Sequence, residues 1–190
     1  MTRPRCAILD DYQNVALKLA DWSRIADRVD VTVFDQPFAG APEAIAALRD
    51  FEIICAMRER TPFRADTLDA LPKLKLLLTS GMRNAAIDLA AAKAHGVTVC
   101  GTAAMGGPTA SLAIGLMLEL TRHIGLENAR LKAGERWQTT LGEDIEGKTI
   151  GIIGLGKLGR KVATIARAMG MNVIAWSQNL TPEACAEAGV

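Results

Sequence analysis

Aromatic side chains are scarce. Four Phe, three Trp and one Tyr make up 4% of the 190 residues, too few for a base-stacking surface. No charge of one sign is in excess. The formal net charge is +1, so the electrostatic footprint of a nucleic-acid or anionic-membrane binder is missing. No apolar run is long enough to span a bilayer. Met1 to Arg5 leads directly into an apolar strand without a secretory core, and a cytoplasmic location is expected. Cysteine is sparse and scattered: Cys6, Cys55, Cys100 and Cys185 form no C-x-x-C pair. Reduced thiols on or beside buried strands are the expectation, with neither a disulfide framework nor a metal site. Histidine is scarcer still, with His95 and His123 alone. Both are expected to be structural.

What remains is 49% hydrophobic and 23% charged, the balance of a globular α/β protein. Short apolar strands alternate with helical stretches through the first hundred residues. Strands are expected at Cys6–Leu9, Val31–Phe34, Ile53–Ala56, Leu74–Leu78 and Val97–Cys100. Between them, helices are expected from Tyr12 to about Arg28, over Pro42–Arg49, over Arg64–Ala70 and over Ala85–Ala94. This alternation implies a parallel sheet covered on both faces. Asp10-Asp11 reads as a turn and a helix cap. A receiver domain shares the layout, but it needs an acidic residue ending the third strand and a lysine ending the fifth. Here those ends read Cys55-Ala56-Met57 and Cys100-Gly101.

Gly101–Pro108 holds three glycines and a proline and reads as a hinge. A long apolar helix is expected over Thr109–Leu131, with Leu112, Leu116, Leu120 and Ile124 on one face. A polar stretch around Trp137 follows. Then comes the most informative segment, Thr149-Ile150-Gly151-Ile152-Ile153-Gly154-Leu155-Gly156-Lys157-Leu158-Gly159. An apolar strand enters a Gly-x-Gly-x-x-Gly turn, a helix follows to about Met169, and a second strand spans Asn172–Trp176. Gly154 would permit the tight turn, Gly156 would let a pyrophosphate approach the backbone, and Gly159 would let helix and strand pack closely. Free amides at the helix start, including those of Lys157 and Leu158, would face the phosphates. The acidic residue that usually ends the second strand of an NAD-selective site is missing. Ser177, Gln178 and Asn179 stand there and could bond a ribose hydroxyl or a 2′-phosphate, so NAD and NADP both remain open. Thr181-Pro182-Glu183 looks like a further helix start.

Taken in order, these segments resemble the D-isomer-specific 2-hydroxyacid dehydrogenase family. The resemblance covers nearly the whole chain. It is most specific in Gly134–Trp176 and from Leu71-Pro72-Lys73-Leu74-Lys75 through Ile87-Asp88. It implies a flavodoxin-like, parallel-sheet substrate domain over residues 1–101. An incomplete Rossmann dinucleotide-binding domain would follow over 102–190, the front part of a longer enzyme. Residue by residue, Arg58 matches an arginine facing the substrate cleft, and Ser80, Gly81 and Met82 match the loop whose amides hold the substrate carboxylate. Thr109 and Ser111 fall near the nicotinamide, although Ser111 stands where the family often has glutamate. Arg83 and Ala85 replace a glycine and a polar residue. Arg83 is either an added anion contact, favouring an acidic or phosphorylated substrate, or a solvated loop arginine. The resemblance implies hydride transfer between nicotinamide and C2 of a small 2-hydroxy or 2-oxo acid. The family's catalytic arginine, glutamate and histidine match no residue here, and this chain alone is expected not to turn over. The long helix resembles the family's dimerisation element, so the intact protein is expected to be a homodimer, and the fragment to associate. A dinucleotide-sensing corepressor and a stand-alone binding module are the other classes considered.

Overall fold

The computed structural model describes residues 2–103 and 105–190. The chain divides into two compact units, Met1–Ala104 and Met105–Val190. Ala104, within the expected hinge, lies outside the described residues.

In the first unit, five strands form one parallel sheet: β1 (Arg5–Ile8), β2 (Asp30–Val33), β3 (Ile53–Ala56), β4 (Leu76–Thr79) and β5 (Thr98–Gly101). Their order is β2-β1-β3-β4-β5, the flavodoxin-like arrangement, with its topological switch between β1 and β3. The connections carry α1 (Ala16–Leu19), α2 (Ala41–Leu48), α3 (Ala65–Asp69) and α4 (Leu89–Ala94). Because the β1-to-β2 crossover runs against the other three, right-handedness puts α1 on one face and α2, α3 and α4 on the other. The core lies on the three-helix side, where Ala7, Leu9, Ile54, Ala56 and Leu77 meet Ala44, Leu48, Leu68 and Ala92. Phe51 and Phe63 are buried in the same cluster.

The second face of the sheet is covered only in part: on β1, Cys6 and Ile8 are buried there. Along β3 and β4, Ile54, Ala56, Leu77 and Thr79 are buried while Ile53, Cys55, Leu76 and Leu78 are only half-buried. On that side, residues 12–28 do not form the one helix expected. They give a four-residue α1 and a 3₁₀ turn over Trp22–Ile25. Asn14 takes a positive φ of 56°, and Ala20 is extended. Asp21 accepts from the Ser23 amide and starts a new turn. Leu17 and Leu19 are exposed, so nothing rewards continuing the helix. Asp11 behaves as expected, capping α1 by accepting from the amides of Val15 and Ala16. Cys6 is buried, Cys55 half-buried and Cys100 exposed. The Cys6 and Cys55 sulfurs lie 3.9 Å apart, but Cys6 pairs with Ile53 and Cys55 with Ile8, a two-residue offset that argues against a disulfide.

In the second unit, α5 (Gly107–Arg122) and α6 (Ile124–Lys132) precede β6 (Thr149–Ile153), α7 (Lys157–Ala168), β7 (Asn172–Trp176) and α8 (Pro182–Ala188). The single helix expected over Thr109–Leu131 is therefore two. His123 takes a left-handed conformation, φ 52°, and closes α5 through its amide to Glu119. The apolar period runs through this break unchanged, which is why the sequence pattern concealed it. β6 and β7 are parallel, with Ile153 opposite Trp176. α7 covers one face of this pair, where Ile152 and Ala163 are buried with Val173 and Ala175 against them. The other face is open within this unit: Ile153, Ile174 and Trp176 are exposed.

Glu127 on α6 holds the polar stretch in place. Its buried carboxylate accepts from the amides and hydroxyls of both Thr139 and Thr140. The Thr140 hydroxyl leads in drawing its pKa down from the ordinary 4.5 to about 2. A depressed carboxylate stabilises fully above its unfolded pKa and loses that contribution as pH falls through the folded one. Segment 134–142 should therefore hold at neutral pH and loosen between pH 4.5 and 2. Glu127→Gln should speed amide exchange at Thr139 and Thr140 by about tenfold or more at pH 7. Unchanged exchange would show that the clasp does not hold the segment.

Candidate functional site

Two groups of residues gather at the carboxyl ends of parallel strands, where α/β folds bind ligands. The first lies in the first unit, after β3, β4 and β5. Arg58 follows β3 with a positive φ of 54°, a strained conformation for a non-glycine residue that costs on the order of 1 kcal/mol. Its guanidinium lies over Gly81: a Cβ there would sit 2.7 Å from Arg58 Nη1. Gly81 itself has φ 92°, which only glycine adopts freely. Behind it, β5 ends at Gly101, where a Cβ would meet Gly81 O at 2.6 Å and Met82 Cα at 2.9 Å. The loop thus rests directly on a bare backbone.

The loop amides are not equivalent. Ser80 N–H donates to Ala56 O at 3.3 Å, and Gly81 N–H donates to Thr102 Oγ1 at 3.1 Å. Among the described residues, the amides of Met82 and Arg83 have no such partner. Met82 and Arg83 are exposed beside a cleft of ≈ 430 Å³ that Thr79, Asn84 and Gly101 also line. Ser80 donates its hydroxyl to Met57 Sδ at 3.2 Å. Arg58, Gly81, Met82 and Arg83 are therefore brought together, with Ser80 facing inward through its amide.

Two residues here were not legible as site residues in the sequence. Asn84 bonds Arg58 and Thr79, and Thr102 bonds Gly81. Both pair with loops distant in sequence, so no local pattern betrays them. Apart from this group, Asp10, buried at the end of β1, accepts from Thr61 Oγ1 and Tyr12 OH, both at 2.9 Å.

The second group is the turn between β6 and α7. Gly154 has φ 97° and donates its amide to Trp176 O at 2.7 Å, tying the turn to β7. Gly156 caps α7 with extended backbone, and a Cβ on it would meet nothing within 4 Å. At Gly159 a Cβ would collide with Gly154 O and lie 3.1 Å from Ile152 Cγ2. The three glycines thus differ: one makes the turn, one leaves space before the helix, one permits close packing. The twelve-residue α7 directs its first-turn amides, those of Lys157, Leu158 and Gly159, toward that space. This is a cradle that fits a pyrophosphate. Thr109 on α5 lines a cleft of ≈ 460 Å³ with Gly154, Leu158 and Gly159. Ser177, half-buried, and Gln178 and Asn179, exposed, leave the end of β7 on the same edge as the turn.

Neither histidine joins the group of its own unit. His95 ends α4 and pairs with Asp69 at 2.5 Å. His123 separates α5 from α6. Among the described residues no cluster of His, Cys, Asp or Glu could hold a metal ion.

Known proteins match this arrangement. Residues 114–190 fit the family model described as D-isomer specific 2-hydroxyacid dehydrogenase, NAD binding domain. A hydroxypyruvate reductase of Thermotoga maritima is 38% identical over 125 residues, 65% of this chain and 41% of its own length. A D-3-phosphoglycerate dehydrogenase of Homo sapiens is 35% identical over 151 residues, 78% of this chain and 28% of its own. Among solved structures, a phosphoglycerate oxidoreductase from Vibrio cholerae o395 superposes with a TM-score of 0.89 at 34% identity. That match covers 98% of this chain and 60% of the other. The chain thus spans well under half the length of these curated relatives. In sequence and in fold the chain resembles the D-isomer-specific 2-hydroxyacid dehydrogenase family, whose NAD binding domain its residues 114–190 match.

Proposed function

We propose that this chain is the N-terminal portion of an NAD(P)-dependent D-2-hydroxyacid dehydrogenase. Residues 1–101 would bind a small 2-hydroxy or 2-oxo acid, and 102–190 would form the first part of the dinucleotide-binding domain. The observation that carries the reading is the β6–turn–α7–β7 unit, with its three differently used glycines and a free helix start. Bound nicotinamide would accept or donate the hydride. On the chain's side, Lys157, Leu158 and Gly159 amides would hold the pyrophosphate, and Ser177, Gln178 and Asn179 the adenosine ribose. The amides of Met82 and Arg83, with the guanidinium of Arg58, would hold the substrate carboxylate. No residue of this chain is assigned the proton transfer. His95 ends α4 in a pair with Asp69, and His123 separates α5 from α6, so the 190 residues alone should show no turnover.

Cofactor choice would rest on the end of β7. With no carboxylate there, a 2′-phosphate meets no repulsion. Ser177→Asp should shift preference toward NADH over NADPH by about tenfold or more, measured as the ratio of the two affinities. An unchanged ratio would show that this position does not select. Arg83 bears on the substrate: if it contacts the acid's distal group, Arg83→Ala should weaken binding of a dicarboxylate or phosphorylated 2-oxo acid several-fold but spare pyruvate.

A homodimer goes with this reading. Leu112, Leu116, Leu120 and Ile124 form an exposed apolar stripe along α5 and the start of α6. A cytoplasmic location goes with it as well, and no helix among the described residues is long and apolar enough to cross a membrane. The experiment that tests the reading is titration with NADH, followed at the turn amides.

A further inference from the structure

We propose that Asn84 is a positioning residue: it holds the backbone of Arg58 in its left-handed conformation and so sets where the guanidinium meets a substrate carboxylate. The proposal rests on the dehydrogenase reading for the identity of the ligand, and on geometry alone for the positioning.

The Asn84 amide makes three hydrogen bonds, each to a different part of the loop system. Nδ2 donates to Arg58 O at 2.6 Å and to Thr79 Oγ1 at 2.9 Å. Oδ1 accepts from the Ala86 amide at 2.9 Å. The orientation of this amide has no freedom. A peptide carbonyl can only accept and a peptide N–H can only donate. Turning the amide over would set Oδ1 against Arg58 O and Nδ2 against Ala86 N–H, losing both bonds. Thr79 is buried at the end of β4, so the anchor itself belongs to the sheet.

This matters because Arg58 is strained. Its φ of 54° is disfavoured for a residue with a Cβ, and such a conformation persists only where neighbours impose it. The Asn84 bond to its carbonyl is such a constraint. In that conformation the side chain turns across Gly81, with Nη1 and Cζ against the bare glycine. Arg58 is otherwise lightly held: among the described residues its one ion pair is with neighbouring Glu59 at 3.5 Å, and its side chain is 54% exposed. The guanidinium is therefore free to bind, while the backbone that aims it is fixed by a side chain 26 residues away. Arg58 would touch the substrate and Asn84 would act through it.

The test uses the 190-residue chain, followed by NMR while pyruvate or glyoxylate is added. Four forms are compared: wild type, Asn84→Ala, Arg58→Ala and the double variant. Wild type should show saturating shifts at Met82 and Arg83. Asn84→Ala should bind about tenfold more weakly, with Arg58 Cα and Cβ shifts moved away from left-handed values. The double variant should bind no more weakly than Arg58→Ala, since a residue acting through Arg58 has nothing left to do once it is gone. Asn84→Asp, which keeps shape and the Ala86 bond but loses the donor to Arg58 O, should move the Arg58 shifts as Asn84→Ala does. Asn84→Ala binding within twofold of wild type, with unmoved Arg58 shifts, overturns the proposal. So do additive losses in the double variant, which would mark a general structural role. If neither acid binds wild type, it is the assignment of this loop to 2-oxo acids that fails. The positioning claim is then decided by the Arg58 shifts alone: moved in both Asn84 variants, it stands; unmoved, it falls.

Discussion

Gly156→Val should abolish dinucleotide binding while leaving the fold of residues 105–190 intact. A Cβ at this position would meet nothing within 4 Å, and the backbone is extended, a conformation that suits a β-branched residue. The space it would fill is the space before the first turn of α7, where the pyrophosphate must approach the amides. NADH affinity should fall by about a hundredfold or more, with far-ultraviolet circular dichroism and melting unchanged. Gly159→Ala should do the reverse damage. Its methyl would strike the Gly154 carbonyl and crowd Ile152, so the turn must open. That should destabilise the second unit by about 1–3 kcal/mol, and binding would be lost through unfolding. If Gly156→Val still bound NADH, or melted early, the assignment of the three glycines would be wrong.

Gly101→Ala is the second large effect, and it lies in the other group. Gly101 is exposed at the end of an edge strand, a place where alanine is ordinarily harmless. Here its methyl would come to 2.6 Å from Gly81 O and 2.9 Å from Met82 Cα, both backbone atoms that cannot rotate away. The loop must shift bodily. Affinity for a 2-oxo acid should fall by about tenfold or more, at a stability cost of about 1–3 kcal/mol. The NADH affinity of the second unit should not change. Unaltered 2-oxo acid binding in Gly101→Ala would show that the carboxylate is held elsewhere.

The contrast between these glycines shows what a sequence does and does not disclose. The 154–159 turn is legible because its three requirements fall within six consecutive residues between a strand and a helix. Gly101 carries an equally strict requirement, but the atoms that impose it belong to residues 81 and 82, and adjacency in the sheet is not written in local pattern. The parallel alternation of the first unit was legible, as was the β3 span. The helix expected over residues 12–28 was not, because apolar residues at helical spacing fold into a helix only where a surface receives them, and Leu17 and Leu19 meet none. The break at His123 escaped for the opposite reason: the apolar spacing continues across it, and a single left-handed residue leaves no compositional trace. Asn84 shows the same limit at the site. An asparagine in a loop reads as a turn residue, and only the fold reveals that its partners are the ends of β3 and β4.

On the proposed reading, the β6–α7 turn holds a nicotinamide dinucleotide. The most direct measurement is an NMR titration of the chain with NADH, with the backbone amides assigned. Saturating shifts are expected centred on Gly154, Gly156, Lys157 and Leu158, extending to Ser177 and Asn179 and absent from β1 to β5. Shifts elsewhere with those amides unmoved, or no saturation below ~1 mM, would contradict it.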